Sequence, residues 1–534
     1  MTERPDLPPT LRPGREKMTE QGGALRIDAV LTRAALSEPG REALVYCGKS
    51  WTYAEVYDRA CRLAAALESL EVGKGERVAF WAENRPEFVE TLFGVPMLGA
   101  ISSPLNHWWT WSDATGALEQ IRPKVLIVGA NQGLAVAEHR DRLAAVGVEH
   151  VLCLERTPDV AAFPLYEPLL KSAARLRSPT PAAASDPALI LFTSGSTGRS
   201  KGAVHTHGSL VAGAALMALE LGLHDGERTL HFLPLFTSCL EHLIPLTLMR
   251  ATHIVLPQFD AAAVWTAIQE HNITHFDAVP TTLRRLLEGT PSSIPKSLRL
   301  ISYASEAMPA ALITALLQRM PGVEFVQFYG MTEQLCLTIL SASDQLRKIG
   351  TVGRPMLGVE LRIVGSDGKE PSVGESGEII ARGPTLFAGY WQDEAATAQI
   401  VQGEWLRTGD MGRFDAGGFL VLEGRLKEMI KSGGLTVIPA ELEGVLTKHP
   451  NVRDVAVIGV PDEKWGEAVH AFVTLSPGAR ILEADLQLFC REHLAAYKRP
   501  KRIHIVAELP TTGIGKVARR VVLQKYLAKK AGKT

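Results

Sequence analysis

The stretch ILFTSGSTGRSKGAVHTH, Ile190 to His207, sets glycines and hydroxyls directly after the buried-strand pattern ALILF. Its lysine, Lys201, follows the second loop glycine, Gly198, by three positions. Gly195, Gly198 and Gly202 let the backbone turn tightly and approach an anion. Thr193, Ser194, Ser196 and Thr197 supply hydroxyl donors, and Lys201 adds charge. A small-residue surface loop is the bland alternative, but the strand pattern before it favours a phosphate cradle. The cradle is not of the Walker type. Read from Gly195, G-x-x-x-x-G-K-[ST] requires glycine where Ser200 stands and a hydroxyl where Gly202 stands, so it fails at two positions.

Outward from this loop, helical periodicity alternates with short apolar runs. YAEVYDRACRLAAALESL has helix spacing, RVAFWA and KVLIVGA read as buried strands, and AVWTAIQEHNI precedes the strand THFDAVP. Such alternation predicts parallel sheets covered by helices. No fixed-period repeat is present, which argues against a solenoid. The stretch from Pro158 to Pro187 is rich in Ala, Pro and Ser and reads as a surface connection. After Gly350 short strands separated by Gly, Asp and Ser turns predict an antiparallel barrel or sheet. Beyond it AELEGVLTKHP and ADLQLFCREHL read as helices and VRDVAVIGV and AVHAFVTL as strands, which makes a separate small domain of mixed content. The expected fold class is therefore α/β: a large N-terminal domain of parallel sheets with helices and a small antiparallel β-barrel subdomain, then a small α+β C-terminal domain. The expected divisions are a tail over 1–24, the large domain over 25–424 and the small one over 425–534.

With 534 residues the chain exceeds one simple core. Its formal net charge of -1 provides no global field to attract nucleic acid or anionic lipid. Cys47, Cys61, Cys153, Cys239, Cys336 and Cys490 form no CxxC pair, which argues against a zinc site or disulfide frame and fits a reducing, cytoplasmic setting. The proline- and charge-rich N-terminus has no apolar core and reads as neither signal peptide nor anchor. TLFGVPMLGAISSPLNHWWTWS, Thr91 to Ser112, lacks charged residues over a bilayer's width. Pro96, Pro104, Asn106 and His107 fit a buried helix, a short strand and a loop better than a transmembrane helix.

TSGSTGRSKG resembles the phosphate loop of the adenylate-forming superfamily, which includes acyl-CoA synthetases, nonribosomal peptide adenylation domains and firefly luciferase. QFYGMTE (327–333), GEIIARGPTLFAGYW (377–391), WLRTGD (405–410), GRLKEMIKSGGLTVIPAELE (424–443) and PTTGIGK (510–516) resemble further motifs of that family, in its order. WTYAEV at Trp51 is similar to its N-terminal region. Any one motif is weak; the ordered set is specific.

The resemblance implies ATP, Mg²⁺ and CoA as cofactors and a small carboxylic acid as substrate. In the family the carboxylate attacks the α-phosphate of ATP, pyrophosphate leaves, and CoA then takes the acyl group from the adenylate. Fixed cations and donors must meet the charge that develops. By resemblance, Lys201 and the loop hydroxyls hold pyrophosphate, Thr332 bonds the α-phosphate and Glu333 coordinates Mg²⁺. Glu306, Ala307, Phe328, Tyr329 and Gly330 surround the nucleotide, with Tyr329 against adenine. Asp410 grips the ribose hydroxyls, and Arg425 contacts ribose or phosphate, against the alternative of a structural ion pair. Lys516 bridges the carboxylate and the α-phosphate and is the principal catalytic residue. Lys427 occupies the hinge about which the C-terminal domain rotates, carrying Lys431, Gly433 and Gly434 to the adenylate, where the glycines leave room for the pantetheine thiol. YKRPKR, Tyr497 to Arg502, reads as a solvated basic face before it reads as a CoA-phosphate site. His205 and His207 are expected to be structural or pocket-lining.

Departures from the pattern concern the acid. Thr237, after Phe236, stands where many CoA-forming relatives have histidine, and Ser305 stands where many have glycine. Ser305 narrows the acyl route and favours a compact or aryl acid, whereas LTLM and ALMALELGL suit a fatty-acid tunnel; the sequence leaves both open. HWWTW, His107 to Trp111, reads as core packing against a substrate or partner-subunit contact, and a homodimer stays open. The leading function is an AMP-forming acyl-CoA ligase. The alternatives are a ligase loading a carrier-protein thiol, a luciferase-like oxygenase and a noncatalytic nucleotide-binding regulator.

Overall fold

The computed structural model describes residues 25–193, 200–510, 517 and 519–530, apart from the side chains of residues 159 and 436. The tail expected over 1–24 lies outside them. The chain forms two compact units. The first holds the described residues up to 349 with 353–360 and 381–406; the second holds 350–352, 361–380 and the described residues from 407 onward. The boundary expected at 424/425 falls inside the second unit.

The first unit is α/β with two sheets. In one, the strands Ile101–Pro104, Arg77–Trp81, Val125–Val128 and His150–Cys153 run parallel, and Pro187–Thr193 continues them beside Ile101–Pro104. Lys201–Thr206 then pairs antiparallel with Pro187–Thr193, and Gly389–Tyr390 pairs antiparallel with Lys201–Thr206. The second sheet runs parallel through Glu324–Met331, Leu300–Tyr303, His275–Ala278, Arg228–His231, Thr252–Val255 and Glu42–Tyr46. Antiparallel strands close both of its ends.

The expected helix over YAEVYDRACRLAAALESL spans Tyr53–Ser69 and is started by a capping box, in which Thr52 and Glu55 satisfy each other's backbone N–H groups. Val56, Ala60, Leu63, Ala64 and Leu67 recur at helical spacing and bury that face. The apolar Thr91–Ser112 span divides into the end of a helix (Pro86–Gly94), a 3₁₀ turn (Val95–Leu98) and a strand (Ile101–Pro104). Among the described residues no helix is long and apolar enough to cross a membrane. The connection expected over 158–187 is not all surface loop, because Tyr166–Ser172 is a helix. Its Tyr166 hydroxyl donates to Glu90 at 2.6 Å, and Arg59 bridges Glu90 and Glu167. A buried charge group therefore pins what composition alone reads as linker.

The strand Trp405–Phe414, which enters the second unit at residue 407, pairs antiparallel with Leu420–Arg425 within the expected antiparallel sheet. The C-terminal part builds a mixed sheet from Leu435–Val437, Ile430–Ser432, Gly466–Leu475, Val452–Asp462 and Arg502–Ile505. The helices Pro439–Leu446 and Glu483–His493 cover it, burying Leu442, Leu446, Leu486 and Cys490 against Val457 and Val469.

Candidate active site

Thr193 lies opposite Lys201 where the strands Pro187–Thr193 and Lys201–Thr206 pair. Ser194, Gly195, Ser196, Thr197 and Gly198 lie outside the described residues, as does Lys516. A Walker lysine opens a helix, whereas Lys201 opens a strand, so the two-position failure of that pattern has a structural counterpart. The flanking glycine is sterically required: a Cβ on Gly202 would lie 2.8 Å from Ile190 Cγ2. Lys201 Nζ sits 4.8 Å from the ring centroid of Tyr390, a cation–π contact. Tyr390 in turn donates its phenolic hydrogen to Glu333 Oε1 at 2.6 Å. Burial and the charge of Glu333 hold that phenol well above its ordinary pKa, so it remains a donor.

Glu333 follows a strand built to turn sharply. A Cβ on Gly330 would lie 1.9 Å from the Leu335 carbonyl oxygen, the ladder bulges between Tyr329 and Gly330, and Leu335 takes φ +54°. The turn is clamped from outside. His205 Nε2–H donates to the Thr332 carbonyl at 2.7 Å, Phe387 N–H donates to the Glu333 carbonyl at 2.9 Å, and Thr385 Oγ1 donates to the Gln334 carbonyl at 2.9 Å. Burial lowers His205 to about 4, which keeps it neutral and its Nε2–H committed. His205 is thus structural as expected, and it also fixes the Thr332 backbone. Tyr390 is the functional candidate that sequence reasoning passed over. It lies inside a quoted motif, but its contact with Glu333 spans 57 positions.

Ser305 stands just past the Leu300–Tyr303 strand with φ +75°, the left-handed region that glycine adopts without strain. Next to it, Glu306 Oε2 accepts from Thr281 Oγ1 at 3.0 Å, and Ala307 continues the turn. Phe328 is buried and Tyr329 half-buried on the strand Glu324–Met331, which leads into the turn of Thr332 and Glu333. Thr237 donates its hydroxyl to the Pro234 carbonyl at 2.9 Å. Phe236 meets His107 and Trp108 edge-to-face, with centroids 5.7 and 6.0 Å away. The aromatic stretch therefore divides: Trp108 joins Phe236, Trp109 packs on Phe192, and Trp111 stacks on His139 in the core.

The remaining expected site residues belong to the second unit. Arg425 Nε donates to Asp410 Oδ1 at 3.1 Å across directly opposed strand positions. Asp410 N–H donates to Thr408 Oγ1 at 3.0 Å within the strand Trp405–Phe414. Lys427 is exposed in the 3₁₀ turn Leu426–Glu428. Lys431 lies on an exposed position of Ile430–Ser432, and Gly433 and Gly434 turn that strand into Leu435–Val437 with φ +60° and +81°. A Cβ on Gly433 would come within 2.8 Å of the Trp465 ring, so this glycine has a structural reason of its own. In the basic stretch, Lys498 pairs with Glu441 and Lys501 covers the Trp465 ring.

Among the described residues no group of three or more His, Cys, Asp or Glu has metal-holding geometry. Buried Glu333 fits Mg²⁺ nonetheless, because that ion keeps waters and phosphate oxygens and takes one or two carboxylates.

The fold is a parallel α/β core with an α+β C-terminal part. The family profile described as AMP-binding enzyme matches residues 31–391, and that described as AMP-binding enzyme C-terminal domain matches residues 441–516. The chain belongs to this adenylate-forming family and is an AMP-forming CoA ligase. It is 35% identical over 499 residues to a feruloyl-CoA synthase of an Amycolatopsis species, covering 92% of this chain and 98% of that one. A long-chain-fatty-acid–CoA ligase of Mycobacterium tuberculosis is 34% identical over 482 residues, covering 89% and 93%. The structure of an anthranilate CoA ligase in complex with anthranoyl-AMP superposes with a TM-score of 0.85 at 30% identity, covering 95% of this chain and 98% of that one.

Proposed function

We propose that this ligase activates a compact, aryl-type carboxylic acid, and that Lys201, Thr332 and Glu333 serve its first half-reaction. The observation that carries the reading is the chain from Lys201 through Tyr390 to Glu333, which ties three separated motifs into one cationic and anionic cradle. Lys201 meets the departing pyrophosphate, together with Thr193 and the hydroxyls of 194, 196 and 197. Thr332, its carbonyl held by His205, presents its hydroxyl to the α-phosphate. Glu333 holds Mg²⁺, which supplies charge neutralisation on the phosphates when bound. Tyr329 faces adenine, with Glu306, Ala307, Phe328 and Gly330 around it. Asp410 accepts from the ribose hydroxyls with Arg425 beside it, and Lys516 bridges the carboxylate and the α-phosphate.

Electrostatic placement of this kind accounts for most of the acceleration in nucleotidyl transfer. For the second half-reaction, Lys427 is the pivot about which residues 425–534 turn, and Lys431, Gly433 and Gly434 then guide the CoA thiol. The unpaired thiols among the described residues support a reducing, cytoplasmic setting.

The aryl reading draws on Ser305, whose side chain occupies a turn where glycine would leave space, and on the aromatic wall of Phe236, His107 and Trp108. The similarity to a feruloyl-CoA synthase supports it further. The test is AMP release with and without CoA across hydroxycinnamic, benzoic and C8 to C16 fatty acids. Turnover of an aryl acid that depends on CoA is expected. Turnover of fatty acids alone would sink the aryl assignment.

A further inference from the structure

The strands His275–Ala278, Leu300–Tyr303 and Glu324–Met331 run parallel with Asp277 opposite Ser302 and Ser302 opposite Val326. Successive strand side chains point to opposite faces, which sorts these residues into two sets. One face carries Phe276, Ile301, Tyr303 and Phe325 into an apolar cluster. The other carries His275, Asp277, Ser302 and Phe328. A parallel sheet covered on both faces reads apolar on both, so three polar residues there call for a reason. In open α/β sheets ligands bind at the carboxyl ends of the strands, and Asp277 and Ser302 lie at those ends.

The covering segment is equally unusual. Cys239–Leu243, two residues past Thr237, winds as a π-helix, a form that recurs at functional sites. It sets the His242 ring 5.7 Å from Phe328 and stacks it 5.5 Å from His275. His242 Nε2 and His275 Nε2 both bond Ser302 Oγ, at 2.9 and 3.0 Å, and His242 Nδ1 lies 3.3 Å from Asp277 Oδ2. Ser302 has one hydrogen, so it donates to one imidazole and accepts from the other, and the tautomers of His242 and His275 are coupled. Among the described residues, Asp277 Oδ1, His242 Nδ1 and His275 Nδ1 are all buried without a hydrogen-bond partner, so Asp277 meets His242 by proximity and not through a hydrogen bond. The Asp277 side chain keeps 13% of its surface against 1% for His242, so it is the less enclosed of the two.

Burial disfavours the charged form of each titratable member. It raises Asp277, with Glu241 adding to the rise, lifts Glu241 to about 7, and lowers His242 and His275, with His231 adding to both and the charges of Glu227 and Arg299 acting in opposite senses on His275. A neutral hydrogen-bond donor suits such a wall better than a second carboxylate or an alkyl chain.

We infer that Asp277, with His242, forms the far wall of the acid pocket and selects an acid whose distal end carries a hydroxyl or amino group that donates to Asp277 Oδ1. The inference rests on the acid site proposed at Phe236, Thr237 and Ser305, since Ser302 precedes Ser305 by three residues and His242 meets Phe328 beside it. An acid lacking the donor leaves Asp277 Oδ1 buried and unpaired, and sites built around a substrate hydroxyl use that penalty to reject the analogue.

The test compares kcat/KM for CoA-dependent AMP release within three pairs: 4-hydroxycinnamate and cinnamate, 4-aminobenzoate and benzoate, 10-hydroxydecanoate and decanoate. In every pair that turns over, the donor-bearing acid is expected to lead by about tenfold to a hundredfold. Asp277→Leu is expected to erase that ratio, mainly through KM of the donor-bearing acid, while the donor-lacking acid is handled as well or better. The wild-type ratio needs no variant and decides the matter if Asp277→Leu does not fold. Equal handling within pairs, or a ratio unchanged in folded Asp277→Leu, overturns this inference and leaves the aryl reading intact. Turnover of decanoate and 10-hydroxydecanoate with no aryl acid used removes the aryl reading instead, and the ratio within that aliphatic pair still decides the role of Asp277.

Discussion

Tyr390 donates its hydroxyl hydrogen to Glu333 Oε1 across 2.6 Å, and the same ring carries Lys201 Nζ on its face. One side chain thereby restrains both an anion and a cation that the reaction needs in fixed places. Tyr390→Phe keeps the ring, and with it the cation–π contact, but frees the Glu333 carboxylate. A hydrogen bond to a charged acceptor contributes about 1.5–3 kcal/mol. The expected result is an adenylation rate reduced by about tenfold to a hundredfold, with a higher Mg²⁺ requirement and a modestly lower Tm. The measurement is ATP–pyrophosphate exchange against Mg²⁺ concentration; an unaltered Mg²⁺ requirement would refute the positioning role.

Gly330→Ala tests the turn itself. The added methyl would sit 1.9 Å from the Leu335 carbonyl oxygen, a backbone atom that cannot rotate away. Overpacking of this kind costs about 1–3 kcal/mol or more, and the hairpin must open to relieve it. A clear fall in Tm together with loss of adenylation is expected from thermal unfolding and activity measured on one preparation. Ser305→Gly should act in the opposite direction, since glycine takes φ +75° without the cost of roughly 1–2 kcal/mol that an L-residue incurs. That variant is expected to be at least as stable and to admit bulkier acids.

The outcome of these variants bears on how far sequence alone reaches. The strands, the capped helix Tyr53–Ser69 and the division of the Thr91–Ser112 span were legible because local patterning sets them. The motif residues were legible as types in order. Tyr390 was not legible as a partner of Glu333, because nothing local couples positions 57 apart. Nor was the π-helix over Cys239–Leu243, whose winding no short motif announces. Asp277 sat unnoticed in the strand pattern THFDAVP, where one polar residue does not disturb the periodicity. The helix Tyr166–Ser172 was masked by an Ala- and Pro-rich composition, and tertiary burial of Tyr166 overrides that local signal.

Acid stability follows from the buried histidines. Burial lowers His205, His207 and His231 to about 4 from an ordinary 6.5. Between those values the unfolded chain binds protons that the folded chain does not, so unfolding becomes easier as pH falls. The stabilisation is complete above about 6.5 and is lost progressively as pH drops towards 4, by up to about 1.4 kcal/mol per pH unit for each group. Urea unfolding from pH 7.5 to 4.5 should show this slope. His205→Gln, which keeps an N–H for the Thr332 carbonyl, should reduce it by about one group's share. An unchanged slope in that variant would show that His205 does not titrate in this window.

Lys427 offers a test that separates the two half-reactions. It lies exposed in a 3₁₀ turn, Leu426–Glu428, between the strand Leu420–Arg425 and the strand Ile430–Ser432. A pivot must absorb a large change in backbone dihedrals, and proline fixes φ near -65° while restricting the residue before it. Exposure means that Lys427→Pro removes little packing, so the fold should survive. Single-turnover formation of acyl-adenylate is expected to stay within about threefold of the parent, because adenylation precedes the rotation. Transfer to CoA is expected to fall at least tenfold, each tenfold corresponding to about 1.4 kcal/mol on the barrier to the second step. Equal losses in both half-reactions would place the hinge elsewhere.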